Sequence, residues 1–327
     1  MVYTSKHNYV LFGVESTFGT AVSATKDLGL IQSITPSAKN NTEVIHTTGT
    51  RLPAEVIAQN FEGNLDLEFL FQHGRVFELF FGTTPTHATT SADTVHTIVA
   101  VGSSLPVAEE AKSITIEDGF NSTTDVVNKY VSHVISSLTV SLDVKGKVTI
   151  KTSGSYANMS AVGSSASSAV ISTLATFPSF MGTLKRGTEG SESAVGRIQS
   201  AEITFENNPT PVNELGSRFM VANPANDFNI RYRFTLAFED SAQQQIFMGG
   251  TAPLAGTPAA KGLVFNATNG TTLGSGRREI DIQLRGCQDE DWSNPVQVGN
   301  VVIQEISGTA KTLYSLKTTD NIASGSW

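Results

Sequence analysis

The residue types best able to do chemistry are scattered through this chain. Six histidines, His7, His46, His73, His87, His96 and His133, could ligate a metal or move a proton, yet none lies at the close spacing of a zinc site. Surface or loop positions are expected for them. The acidic runs Glu109-Glu110, Glu117-Asp118 and Asp289-Glu290-Asp291 could supply an acid and a base or hold calcium. No calcium-loop spacing surrounds them, so solvated loop charge is expected.

Cys287 is the only cysteine, which excludes an intrachain disulfide framework and a thiolate cluster supplied by one subunit; a buried thiol is expected. Gly274-Ser275-Gly276, followed by Arg277 and Arg278, could cradle a phosphate, but the third glycine and following helix of a dinucleotide loop are missing. A turn before a strand is expected. The sequence also lacks a Gly-x-Ser-x-Gly elbow, a Gly-x4-Gly-Lys-Ser/Thr loop, a His-Glu-x-x-His pair and a Cys-x-x-Cys pair. The expectation is a protein that is not an enzyme and takes no cofactor or metal. Asn-x-Ser/Thr triplets at Asn121, Asn158, Asn266 and Asn269 follow no secretory signal and are expected in turns. Trp292 and Trp327 stand apart from the interleaved aromatic and basic pattern of a single-strand binder.

What would position such residues is a β-rich chain. Only 16% of the 327 residues are charged and 39% are hydrophobic, a balance favouring short strands and turns. The length suits two domains of ordinary size. The formal charge of −8 leaves no basic surplus for gripping a phosphate backbone. The absence of a long apolar run and of an apolar segment near Met1 predicts a soluble, unprocessed chain without membrane insertion.

An internal repeat organises the sequence. Ile31-Gln32-Ser33 recurs as Ile198-Gln199-Ser200, Asn40-Asn41 as Asn207-Asn208, and Gly49-Thr50-Arg51 as Gly216-Ser217-Arg218, all 167 positions apart. Leu65, Leu67, Phe69 and Phe71 alternate with polar residues, as do Tyr232, Phe234, Leu236 and Phe238 at the same offset, predicting half-buried strands that present the same face. A short helix follows each, with Val76, Phe77, Leu79 and Phe80 in one copy and Ile246, Phe247 and Met248 in the other, and is stopped by Gly82 or Gly249.

Ile114 and Ile116 resemble Ile280 and Ile282 at an offset one residue shorter, and Gly19-Thr20 matches Gly187-Thr188 with a one-residue gap. Leu138 to Val144, a turn at Lys145-Gly146, then Val148 and Ile150 predict a hairpin. Residues 154–176, rich in Ser, Ala and Gly, predict a linker or crossover. The polar stretch from Pro85 to Lys112 and this linker are expected to order only on assembly. The fold expected is therefore mainly β, with a β-sandwich or barrel-like domain duplicated over 1–153 and 177–327, each copy with one short helix.

The opening Leu11-Phe12-Gly13-Val14-Glu15-Ser16-Thr17-Phe18-Gly19-Thr20, then Gly49-Thr50-Arg51 and the Phe-rich strand and helix ending at Gly82, resemble the first half of viral tail tube proteins. Asn207-Asn208, Gly216 and the strand ending Phe238-Glu239-Asp240 resemble their later half. The resemblance implies a β-sandwich with a flanking helix, stacked as rings into a tube that conducts viral DNA into the host. It implies a homo-oligomer, other tail proteins as partners, DNA passing without tight binding, synthesis in the host cytoplasm and a place in the virion tail. Family members with one domain per chain form six-fold rings, so a duplicated chain would close as a pseudo-hexameric trimer; a hexamer is the other possibility.

A ligand-binding β-sandwich, such as a carbohydrate-binding or adhesin module, and another virion component are the competing readings. An aromatic platform expected of the former is not evident, since the aromatics fall at buried-phase positions. The two copies differ in one respect that suggests a junction. Asn64, Asp66 and Glu68 on the polar side of the first matched strand become Arg231, Arg233 and Thr235 on the second. Asp66 and Glu68 are therefore candidates to face Arg231 and Arg233 across an inter-domain or inter-subunit junction, selecting alternation over self-pairing.

Overall fold

The structure, a computed structural model, describes residues 8–99, 111–120, 126–144, 146–162, 176, 181–254, 256, 258–295 and 302–323. The chain is mainly β. Among the described residues every strand pairing is antiparallel, and the pairings join into one extended network that does not close.

In the first half, β1 (Asn8–Val14), β6 (Ile114–Phe120), the early part of β7 (Val126–Asp143) and β9 (Asn158–Val162) pair in that order. A second set runs β2 (Leu30–Ile45), β3 (Glu55–Leu70), β8 (Thr149–Tyr156) and the later part of β7. In the second half, β10 (Gly182–Gly187), β14 (Lys261–Thr268), the early part of β15 (Glu279–Ser293) and β17 (Thr312–Asp320) form one set. The other runs β12 (Ile198–Glu206), β13 (Asn229–Ala237), β16 (Ile303–Ala310) and the later part of β15. β7 pairs with β12 and splices the halves into one sheet, in the order β2, β3, β8, β7, β12, β13, β16, β15.

The alternation seen in the sequence sets which face is buried. Leu65, Leu67 and Phe69 of β3 and Ile230, Tyr232, Phe234 and Leu236 of β13 enter one core with Phe12, Ile116, Phe265 and Ile282 of the other sets. Their polar neighbours face outward. β7 and β15 pass between sets by bending where the backbone turns left-handed, at Ser132 (φ 55) and Gly286 (φ 66).

The two helices, α1 (Arg75–Phe81) and α2 (Ala242–Met248), fall where the repeat places them and end at left-handed Gly82 and Gly249. Their surroundings differ. Val76, Phe77, Leu79, Phe80 and Phe81 of α1 are all buried, whereas no residue of α2 is.

Several expectations are corrected. Residues 86–99, expected as a loop, form β4 (Thr86–Thr90) and β5 (Asp93–Val99), and β5 pairs with β17 of the other half. Asp93 secures this hairpin by accepting the backbone N–H groups of Gly274, Gly276 and Arg277 at 2.7, 3.1 and 2.9 Å. The first residues of the expected linker are strand at 154–156 and 158–162; residues 163–175 lie outside the described residues.

His73, His96 and His133 are buried rather than on the surface, as are Glu117 and Asp118. Partners offset the burial of two of them, Asp320 for His96 at 2.9 Å and Lys129 for Glu117 at 3.3 Å. Asn158 and Asn266 lie in strands, not turns. Ile280 and Ile282 belong to β15, which holds the pairing position of β7 rather than that of β6. Gly187 is in β10 while Gly19 follows β1, so that dipeptide match does not align the halves. The hairpin β7 to β8, the buried Cys287 and the turn at Gly274-Ser275-Gly276 are as expected.

Candidate functional site

The outward face of the spliced sheet and its two edges carry the residues singled out by sequence. Along that face the cross-strand register runs Glu68, Lys151, Thr139, Thr204, Arg231 and Thr309 in one row. Asp66, Ser153, Ser137, Glu206 and Asn229 make the next. Period-2 side-chain alternation keeps all these residues on one side because the intervening Leu67, Leu138, Phe205 and Tyr232 point into the core.

All four candidate residues therefore share this face, but the chain does not bring them together. Four inter-strand steps separate β3 from β13, about 19 Å at the usual strand spacing. Two Debye lengths at physiological salt, about 16 Å, fit inside that gap, so direct attraction within the chain is screened. Each finds a nearer environment instead. Glu68 approaches Lys151 at 3.7 Å, Arg231 approaches Glu206 at 3.6 Å and Arg233 pairs with Glu305. Asp66 and Glu68 line one shallow depression with Lys151, and Arg231 and Arg233 line another with Glu202 and Glu206. Carboxylates outnumber cations on the described part of this face, with Glu62, Asp66, Glu68, Asp143, Glu202, Glu206, Asp291 and Glu305 against Lys39, Lys151, Arg231 and Arg233.

Beneath the face lies a buried polar link that sequence did not single out. Arg186 of β10 pairs with Asp289 of β15, which also accepts the Tyr232 hydroxyl at 2.7 Å. Burial, and then the Asp289 carboxylate, push the Tyr232 pKa far up, so it stays a neutral donor. Asp289 was expected as solvated charge; here it ties the two strand sets of the second half together.

At the splice between halves, β7 meets β12 with Leu138 opposite Phe205 and Thr139 opposite Thr204. The Thr139 and Thr204 hydroxyls are 3.0 Å apart. Phe80 and Phe81 of α1 pack on Phe205 and Phe228 of the second half, with ring centroids 5.5 to 6.4 Å apart. Asn207, buried, donates its side-chain amide to the Phe80 carbonyl at 3.0 Å and its backbone N–H to the Ser136 carbonyl at 2.8 Å. The Asn207-Phe80 bond could have been suspected from the repeated Asn-Asn, but only the folded chain shows what it joins.

The sheet's outer edges have no described partner. β2 pairs only with β3, and residues 291–293 of β15 only with β16. A family model described as phage tail tube protein matches residues 6–310, nearly the whole chain. No curated protein matches it.

Proposed function

This chain belongs to the phage tail tube protein family and is a structural protein of the virion tail, and we propose that it is the major tube subunit, built from two copies of one domain, three chains closing a pseudo-six-fold ring. Rings stack into the tube through which viral DNA passes.

The observation that carries this reading is the strand order. Both halves follow the same six pairings: β1–β6, β6–β7, β7–β9, β2–β3, β3–β8 and β8–β7 in one, and β10–β14, β14–β15, β15–β17, β12–β13, β13–β16 and β16–β15 in the other. Both register irregularities beside the bend also coincide, between Ile114 and Ile116 and between Lys261 and Leu263. A splice joining two such halves side by side can be repeated between chains, and a repeated head-to-tail contact closes a ring when its rotation permits.

The outward face then becomes the wall of the channel. Its acidic excess suits a conduit, because every cationic contact to a phosphate adds affinity and slows transit. Asp66, Glu68, Arg231 and Arg233 are part of that wall, and a splice repeated between chains again sets β13 and the next chain's β3 four inter-strand steps apart, so these residues set the charge of the wall rather than pair directly. A charge-swap cycle tests it: Asp66→Arg with Glu68→Arg should leave assembly intact, and assembly lost by that pair and restored by adding Arg231→Glu with Arg233→Glu would contradict this geometry. Negative-stain imaging of the concentrated protein tests the function itself. Rings or tubes support it, and a protein that remains monomeric at every concentration, or forms shells, contradicts it.

A further inference from the structure

The equivalence of the halves fixes which surfaces one chain must offer the next. Matching through the shared pairings places Asn40 where Asn207 stands, Ala38 where Phe205 stands, and Phe61 where Phe228 stands. The β3–β8 and β13–β16 registers then place Asp291, Trp292 and Ser293 where Ser137, Leu138 and Thr139 stand. Phe247 and Met248 of α2 replace Phe80 and Phe81 of α1.

Within the chain, the first-half members of this set (Ser137 to Thr139 and α1) are covered by the second half. The corresponding second-half members are not covered among the described residues: α2 has no buried residue, Phe247 stacks on Trp292 at 6.5 Å, and Asp291 is exposed. On the other side, Ala38, Lys39 and Asn40 of β2 are exposed where Phe205 and Asn207 are buried.

We propose that α2 and residues 291–293 of one chain bind the β2 edge of a second copy, repeating the splice that joins the halves, with Asn40 donating its side-chain amide to the Phe247 carbonyl. This rests on the ring reading above and gives it residues. The occupant is a second copy because the two exposed surfaces complement each other position by position. Trp292 meets Ala38 where Leu138 meets Phe205, so a large residue is set against a small one and the combined bulk is kept. Asp291 meets Lys39 where Ser137 meets Glu206, an opposite-charge pair at a directly opposed position. Ser293 meets Ser37 where Thr139 meets Thr204. Pro36 and Pro295 bound the ladder, since neither can donate a backbone hydrogen bond and proline in a strand marks an edge.

The test is a disulfide. In a Cys287→Ser background, Ser37→Cys with Ser293→Cys should oxidise to covalent dimers and a closed trimer on a denaturing gel. The out-of-register pair Ser33→Cys with Ser293→Cys should give at least tenfold less product. Imaging the same samples separates the failures. Rings or tubes without the cross-link between positions 37 and 293, or equal product from both pairs, overturn the junction and leave the ring reading standing. Absence of both rings and product overturns both.

Discussion

Glu15 accepts two hydrogen bonds from Ser132, one from its backbone N–H at 2.8 Å and one from its hydroxyl at 2.6 Å, where β7 bends between strand sets with Ser132 at φ 55. Glu189 accepts the backbone N–H of Gly286 at 2.8 Å at the corresponding bend of β15. The carboxylate satisfies a donor that the bend removes from the ladder. Glu15 also accepts from Thr115 at 2.7 Å and is buried. Glu15→Ala should therefore cost about 2 kcal/mol, the penalty for stranding buried donors. Ser132→Gly should cost less, because glycine adopts positive φ without strain and already serves at position 286. Urea denaturation gives both values; a Ser132→Gly loss exceeding that of Glu15→Ala would contradict this role for the carboxylate.

Asn207 and Asn40 should respond oppositely to the same change. Asn207→Ala removes a buried amide bonded to Phe80 within the chain, and should lower the stability of the monomer by about 1 to 2 kcal/mol. Asn40 is exposed, and the one bond its Oδ1 accepts among the described residues, from Arg218 at 2.9 Å, is exposed too and is exchanged for water at little cost, so Asn40→Ala should leave the monomer's melting temperature unchanged within about 2 °C while weakening ring formation. Thermal denaturation and sedimentation of each variant check the pair, and a destabilised Asn40→Ala monomer would count against an intermolecular role.

Acid should weaken the fold through His133. It is fully buried, burial pushes its pKa down to about 3, and neither ring nitrogen has a partner among the described residues. The unfolded chain protonates it near pH 6.5, whereas the fold holds it neutral. Its contribution is thus intact above about pH 6.5 and falls by roughly 1.4 kcal/mol per pH unit between there and about pH 3. His133→Leu should flatten that part of the stability profile and leave stability at pH 7.5 equal or higher. An unchanged slope between pH 6 and 4 would show that other groups control acid unfolding.

Assembled tubes should not retain DNA at moderate salt. Replacing the wall carboxylates, as in Glu202→Lys with Glu206→Lys, should create retention that weakens steeply as salt rises. Co-sedimentation of DNA with tubes across a salt series measures this, and tight, salt-sensitive binding by the unaltered protein would contradict the conduit.

Much of this was legible in the sequence because hydrophobic phase and glycine stops survive when letters drift. Leu65 to Phe69 and Tyr232 to Leu236 each alternate along a strand, and Gly82 and Gly249 each end a short helix, as the pattern predicts. The alignment failed where only local identity supported it. Ile280 matches Ile114 in letter but belongs to a strand with different neighbours, and the β1 and β10 registers place Phe12 opposite the position of Arg186, far from the Gly-Thr match. The β4–β5 hairpin was illegible because its stability comes from β17, more than 200 residues away in sequence. The candidate site was half legible. Charge reversal between Asp66, Glu68 and Arg231, Arg233 was visible, but strand order alone reveals that three strands lie between them. The edges β2 and 291–293 carried only the prolines Pro36 and Pro295 as a sequence signal, since an edge is defined by what fails to pair.

The most direct measurement is the number of chains in one ring, obtained by mass photometry of isolated rings or by averaging tube images. Three chains per ring, with both halves at equivalent radii around a pseudo-six-fold axis, is the expected result. Six chains per ring, or halves at different radii, would contradict the reading of the two halves as equivalent copies that splice alike within and between chains.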